Sequence, residues 1–163
     1  MDFILFISFL ILLRIAELLL SKSNEQWLLR NGAIEYGNKH YPFIILLHSL
    51  FFFSLMIEYY NQLNHHCNLF LIVLYFILLV FKAWIIISLG KFWNTKIYRI
   101  ASFSLIKKGP YQYFKHPNYI VVIGEIAIIP LAFQLYYTAF IFTFLNAIML
   151  WVRIKEENKA LGI

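Results

Sequence analysis

Charge is what this sequence has least of. Asp, Glu, Lys and Arg make up 13% of its 163 residues against 62% hydrophobic side chains. A mean hydropathy of +0.73 lies outside the range of water-soluble domains, so lipid is the expected solvent. A single cysteine, Cys67, excludes an internal disulfide framework and supplies no metal cluster, so no metal is expected. No Gly-x-Gly-x-x-Gly run follows a strand pattern, which counts against a Rossmann-type nucleotide fold. No internal repeat stands out, and a transporter built of two similar halves would show one.

What is present is length of apolar run. Candidate spans lie at about 3–20, 41–60, 68–90, 119–133 and 134–152, against the roughly 18–20 residues that cross a bilayer core of about 30 Å as helix. Arg14 and Glu17 interrupt the first run, and no basic region precedes it, so it reads as a retained span and not as a signal peptide. The predicted fold is an all-α integral membrane protein, one domain over residues 1–163, with about five transmembrane helices. The last two form a helical hairpin, because Pro130 and Gln134 break the final apolar stretch.

Lys and Arg placement sets the orientation. All but Arg14 and Lys82 fall in residues 21–40, in 91–118 or after 152, whereas the loops at 61–67 and 134–137 hold none. Five crossings put every basic segment on one side. The N-terminus is then outside and the C-terminus cytoplasmic, in the plasma membrane. The net charge of +6 follows from that topology and from anionic headgroups, not from nucleic-acid binding.

The polar segments and the buried charges are where chemistry is expected. Residues 92–99 alternate as a short hairpin would, and Lys107-Lys108-Gly109-Pro110 is turn chemistry. Pro117 suits the first position of a helix, whose free N–H groups, with Lys107, Lys108 and Lys115 nearby, favour an anionic ligand group. Arg14 and Glu17 share a helix face with Ser21 and Asn24 and read either as a self-satisfied pair or as a functional one. Lys82, in the cytoplasmic half of the third span, is placed to snorkel to the interface. Glu125 has no basic neighbour in its own span and is expected to face the bundle interior. Asn146, Arg153 and Glu156 or Glu157 form a polar stripe at helical spacing on the last span.

Gly109-Pro110-Tyr111-x-Tyr113-x-Lys115-His116-Pro117-Asn118-Tyr119, a buried Glu125 six residues on, and Arg153 with Glu156-Glu157 together resemble the isoprenylcysteine carboxyl methyltransferase family and related phospholipid N-methyltransferases. Leu89 to Asn94, Gly32 to Glu35 and His40-Tyr41-Pro42 are similar to the bacterial subgroup whose members methylate alkylpyrones made by type III polyketide synthases. One departure is Lys115, where the family usually carries Arg; lysine keeps the charge without the planar fork.

The resemblance implies a five-helix enzyme that binds S-adenosylmethionine through a cytoplasmic loop and methylates a lipophilic acceptor entering from the membrane lipid. Gly109, Tyr111, Tyr113, Lys115, His116, Pro117, Tyr119, Glu156 and Glu157 are the expected cofactor residues. Aromatic faces suit a sulfonium. Arg153 is expected to hold an acceptor oxyanion, Glu125 to orient that arginine or take a proton, and Arg14, Glu17 and Asn146 to line the acceptor site. An alkylpyrone or related polyketide lipid leads as acceptor, ahead of an isoprenylcysteine carboxylate and a phospholipid amine. A small transporter or membrane chaperone is the reading from another class.

Overall fold

A computed structural model describes residues 3–162. Five α-helices account for most of them: α1 (Phe3–Arg30), α2 (Tyr41–Asn61), α3 (Leu69–Leu89), α4 (Pro117–Ala132) and α5 (Tyr136–Leu161). Four are long and apolar enough to cross a membrane, and α4 is shorter, at 16 residues. The chain is therefore an all-α bundle of membrane type. A belt of outward side chains such as Leu12, Phe53, Val80 and Phe140, each more than 60% exposed, is what a lipid-facing surface requires and water would not tolerate.

Where α4 starts and stops follows from its sequence. Pro117 opens it, as expected, because a missing N–H costs nothing in a first turn. At its far end Phe133 N and Leu135 N both bond Pro130 O, at 3.1 and 2.9 Å, and Gln134 takes φ 59°, so the chain reverses within three residues into α5. The expected hairpin of the last two helices is thus formed. Asn68, the cap of α3, donates its N–H to Ala132 O at 2.8 Å. The start of α3 and the end of α4 therefore lie at the same end of the bundle.

Helix α1 continues past the apolar run to Arg30 and carries Ser21 and Asn24, both buried against the segment after α3. One expectation needs correction. Residues 92–99 do not fold back on themselves. Strand β1 (Ile34–Tyr36) pairs antiparallel with β2 (Ile97–Arg99), Glu35 opposite Tyr98. The alternation was real, but its hydrogen-bond partner comes from the connection between α1 and α2.

The apolar core fills one end of the bundle. Phe3, Phe6, Leu55, Tyr75, Phe133 and Leu135 are among its fully enclosed members, with Phe3 stacked on Tyr59 at 3.7 Å between centroids. At the other end the helices are held by polar contacts instead. Asn94 donates to Ser21 O and accepts from Lys96 N, both at 2.8 Å, and Asn24 donates to Trp93 O at 2.8 Å. These bonds seat the 90–96 segment on α1, and the open space of the protein lies beside them.

Candidate active site

Two cavities meet at this polar end. One, of about 240 Å³, runs among the helices and is walled mostly by apolar side chains, including Leu18, Ile44, Phe52, Val122 and Met149. The other, of about 90 Å³, is more polar and is lined by Lys96, Tyr98, Tyr111, His116 and Glu157 among others. Asn94, Asn118, Tyr119 and Arg153 line both.

The polar cavity is built by the turn before α4 and the last turns of α5. Tyr119 donates its hydroxyl to the Glu157 carboxylate, and the His116 ring stacks on Tyr119 with centroids 5.3 Å apart. His116 Nε2 lies 3.2 Å from Asn158 Oδ1. His116 does not cap α4 with its side chain. Its Nδ1 is 3.6 Å from Glu157 and is buried without a hydrogen bond. Burial, with the Glu157 charge beside it, pushes the Tyr111 phenol up, so that it stays neutral as a donor.

Arg153 stands at the wall between the cavities. Nη2 donates to Thr95 O at 2.6 Å and Cζ sits 5.9 Å from the centre of the Tyr119 ring. Its Nε is buried without a partner, as is Trp93 Nε1 on the apolar side. No carboxylate among the described residues is salt-bridged to this guanidinium. Buried donors left open at a cavity are the places where a ligand atom replaces a lost hydrogen bond.

Deeper in the bundle lies a four-member ion cluster. Lys82 Nζ is 2.9 Å from Glu125 Oε1 and also reaches Glu17; Arg14 lies 2.8 Å from Glu17 and 3.0 Å from Glu125. This overturns two expectations. Lys82 does not snorkel: it is 5% exposed, because two carboxylates inside outweigh the distant interface. Glu125 faces inward as expected, but it does not orient Arg153, since Arg14 and Lys82 occupy its oxygens. The pair of Arg14 and Glu17 is present but not self-contained, because each also binds outside its own helix.

Of the sequence candidates, Tyr111, His116, Tyr119, Glu157 and Arg153 line the polar cavity, and Arg14, Glu17, Asn146, Tyr119 and Arg153 the apolar one. Gly109, Tyr113, Lys115, Pro117 and Glu156 line neither. Gly109 turns the backbone at φ +58°, packed on Ser88 and Trp84; Pro117 opens the helix; Tyr113 is 74% exposed; and Lys115 is exposed. Glu156 sits about 100° round the helix from Glu157 and pairs with Lys159 on the outer face. Asn94, Asn118, Trp93, His48 and Tyr41 were missed as site residues. Asn118, inside the motif itself, could have been found there; His48, alone in an apolar run, carried no signal.

The sequence pattern of the isoprenylcysteine carboxyl methyltransferase (ICMT) family matches residues 70–163, the stretch from α3 to the end of α5 that supplies most of both cavities. The chain belongs to that family. It is also similar to the uncharacterized protein YpbQ of Bacillus subtilis (strain 168), 46% identical over 161 residues, covering 98% of this chain and 96% of that protein. An uncharacterized protein of Haemophilus influenzae is 30% identical over 154 residues, covering 92% of this chain and 89% of that one. No solved structure matches. Membership of this family makes the chain, at the coarse level, a membrane methyltransferase.

Proposed function

We propose that this chain is an S-adenosylmethionine-dependent O-methyltransferase of the membrane, acting on a lipophilic acceptor of the alkylpyrone or related polyketide class. The observation that carries the proposal is the wall of Asn94, Asn118, Tyr119 and Arg153 shared by a polar and an apolar cavity. A polar donor and a greasy acceptor meet only across such a wall.

The residues of the polar cavity fit the cofactor. The unpartnered His116 Nδ1 and the Glu157 carboxylate suit polar groups of a nucleoside and an amino acid, and the faces of Tyr119 and His116 suit a cation. When bound, S-adenosylmethionine supplies an electrophilic methyl group. On the other side of the wall the Arg153 guanidinium holds an acceptor oxygen as the anion and positions it. The apolar walls around it exclude water, which strengthens that charge contact.

Five crossings are our reading of the topology. Helix α4 reaches the end of the bundle where α3 begins, as the bond from Asn68 to Ala132 requires, so it traverses the bundle despite its length. With the basic segments 21–40 and 91–118 on one face, the positive-inside rule puts the polar cavity and the C-terminus in the cytoplasm.

Calorimetric titration of S-adenosylhomocysteine into the detergent-purified protein tests the reading. Micromolar binding that His116→Ala or Glu157→Ala abolishes, in variants that remain folded, supports it. No heat and no thermal stabilisation with folded wild type overturns it. Turnover of a radiolabelled methyl donor with alkylpyrone, prenylcysteine and phospholipid acceptors then identifies the acceptor class.

A further inference from the structure

Each of the five helices sends a polar side chain to one deep layer: Arg14 from α1, His48 from α2, Lys82 from α3, Glu125 from α4 and Asn146 from α5. Helices α2 and α5 run antiparallel, with Ser54 Oγ 2.7 Å from Thr138 Oγ1 and the Phe51 and Phe142 rings 5.4 Å apart. Continuing that register sets His48 level with Asn146. Arg14, Lys82 and Glu125, with Glu17, satisfy one another. His48 and Asn146 take no part in that exchange, and both line the apolar cavity.

Asn146 is 4% exposed, and its amide has no hydrogen-bond partner among the described residues. That amide faces the cavity, where a ligand group is what can complete its hydrogen bonds. His48 Nδ1 lies 2.8 Å from Ile44 O. A carbonyl only accepts, so Nδ1 carries a proton, and a neutral ring presents Nε2 as an open acceptor. The layer thus offers an amide donor, an amide acceptor and an imidazole acceptor in a cavity that Leu47, Val122, Met149 and Leu150 also line.

We infer that Asn146 and His48 form a second polar subsite for the acceptor, which reads a hydroxyl or carbonyl on the side of its head group away from the oxygen that is methylated. The inference rests on the methyltransferase reading above. Arg153 lies about 10 Å further along α5 than Asn146, and its long side chain, which leans toward the N-terminal end of the helix, spans part of that gap. The occupant is then a small head group with oxygens on two sides. A head with one oxygen leaves the Asn146 amide unpaired, and discrimination against it follows from that penalty.

The test compares two probes of equal alkyl chain, a 5-alkylresorcinol with two ring oxygens and a 3-alkylphenol with one. Their affinities are measured on the full chain in lipid nanodiscs saturated with S-adenosylhomocysteine, followed by thermal stabilisation, so no turnover is required. The resorcinol should bind about tenfold tighter to the wild type, the scale of one well-made neutral hydrogen bond. Asn146→Leu and His48→Phe should each shrink that preference, with calorimetric binding of S-adenosylhomocysteine showing that the variants are folded. Equal affinities for the two probes in the wild type overturn the subsite alone and need no variant. A preference that survives both substitutions overturns the assignment to these residues. Failure of the wild type to bind S-adenosylhomocysteine overturns the methyltransferase reading, and this inference with it.

Discussion

Lys82 on α3 and Glu125 on α4 meet at 2.9 Å with side chains only 7% and 6% exposed. Neither has an opposite charge within its own helix, so each is tolerated in the bundle only because other helices bring opposite charges to it. Arg14 and Glu17 extend the contact to α1, making three helices interdependent through two carboxylates and two cations.

Removing one partner from such a group leaves a buried charge uncompensated. Lys82→Met should destabilise the protein by about 3–5 kcal/mol. The double variant Lys82→Met, Glu125→Gln should recover part of the loss, because it removes one charge of each sign. Thermal unfolding in detergent, comparing both variants with wild type, reads this directly; a single variant as stable as wild type would contradict it.

Among the described residues no carboxylate pairs with Arg153, which faces both cavities, so its charge is available for an acceptor oxygen. Arg153→Lys keeps the charge and loses the fork that reaches Thr95 O. Turnover should fall by about 10²–10³, with a smaller change in affinity for S-adenosylhomocysteine. Single-turnover methylation beside calorimetry separates the two effects.

Gly109 holds φ +58°, and a Cβ there would overlap the Ser88 side chain. Gly109→Ala should cost roughly 1–2 kcal/mol in backbone strain, with a further loss from the overlap, and should weaken cofactor binding by shifting the turn that carries Tyr111. Adding Ser88→Gly should restore the part due to overlap and leave the strain. The melting temperatures of the single and double variants resolve the two contributions.

The junction of β1 and β2 carries a pH dependence. The hydrogen bond to Glu25, 2.7 Å from Lys96 Nζ, holds the Lys96 ammonium above its ordinary 10.5. Burial, then the hydrogen bond from its hydroxyl to Glu25, also pushes the Tyr98 phenol up. Groups raised on folding stabilise fully below their unfolded values and lose that contribution as pH rises through the folded ones. Stability should therefore be insensitive to these groups near neutral pH and fall above about pH 10. Lys96→Met should lower stability by about 1 kcal/mol at pH 7, since the pair is partly exposed, and should flatten the alkaline fall. Chemical denaturation between pH 7 and 11 checks both.

Much of this arrangement was legible in the order of residues. The stripe Arg14, Glu17, Ser21 and Asn24 faces inward because helical spacing alone puts those positions on one side, and the motif around His116 gathers its chemistry within a few residues of α4. What the sequence concealed was pairing across long separations. Lys82 and Glu125 each read as isolated charges, since nothing local ties one to the other. The strand at Ile97–Arg99 showed its alternation but not its partner, which lies more than sixty residues earlier in the chain. Residues of the motif that serve the backbone, Gly109 and Pro117, cannot be told from ligand contacts by spacing alone.

The ion cluster also bears on how the helices depend on one another. Within α1, Arg14 and Glu17 are three residues apart and paired. Lys82 lies 43 residues ahead of Glu125, and apart from α4 the only carboxylate of the cluster it can share is Glu17, which Arg14 already holds. Without Glu125 the cluster holds two basic side chains against one carboxylate. Helix α4 alone supplies the second carboxylate, which ties the packing of α1 against α3 to a helix that begins only at Pro117.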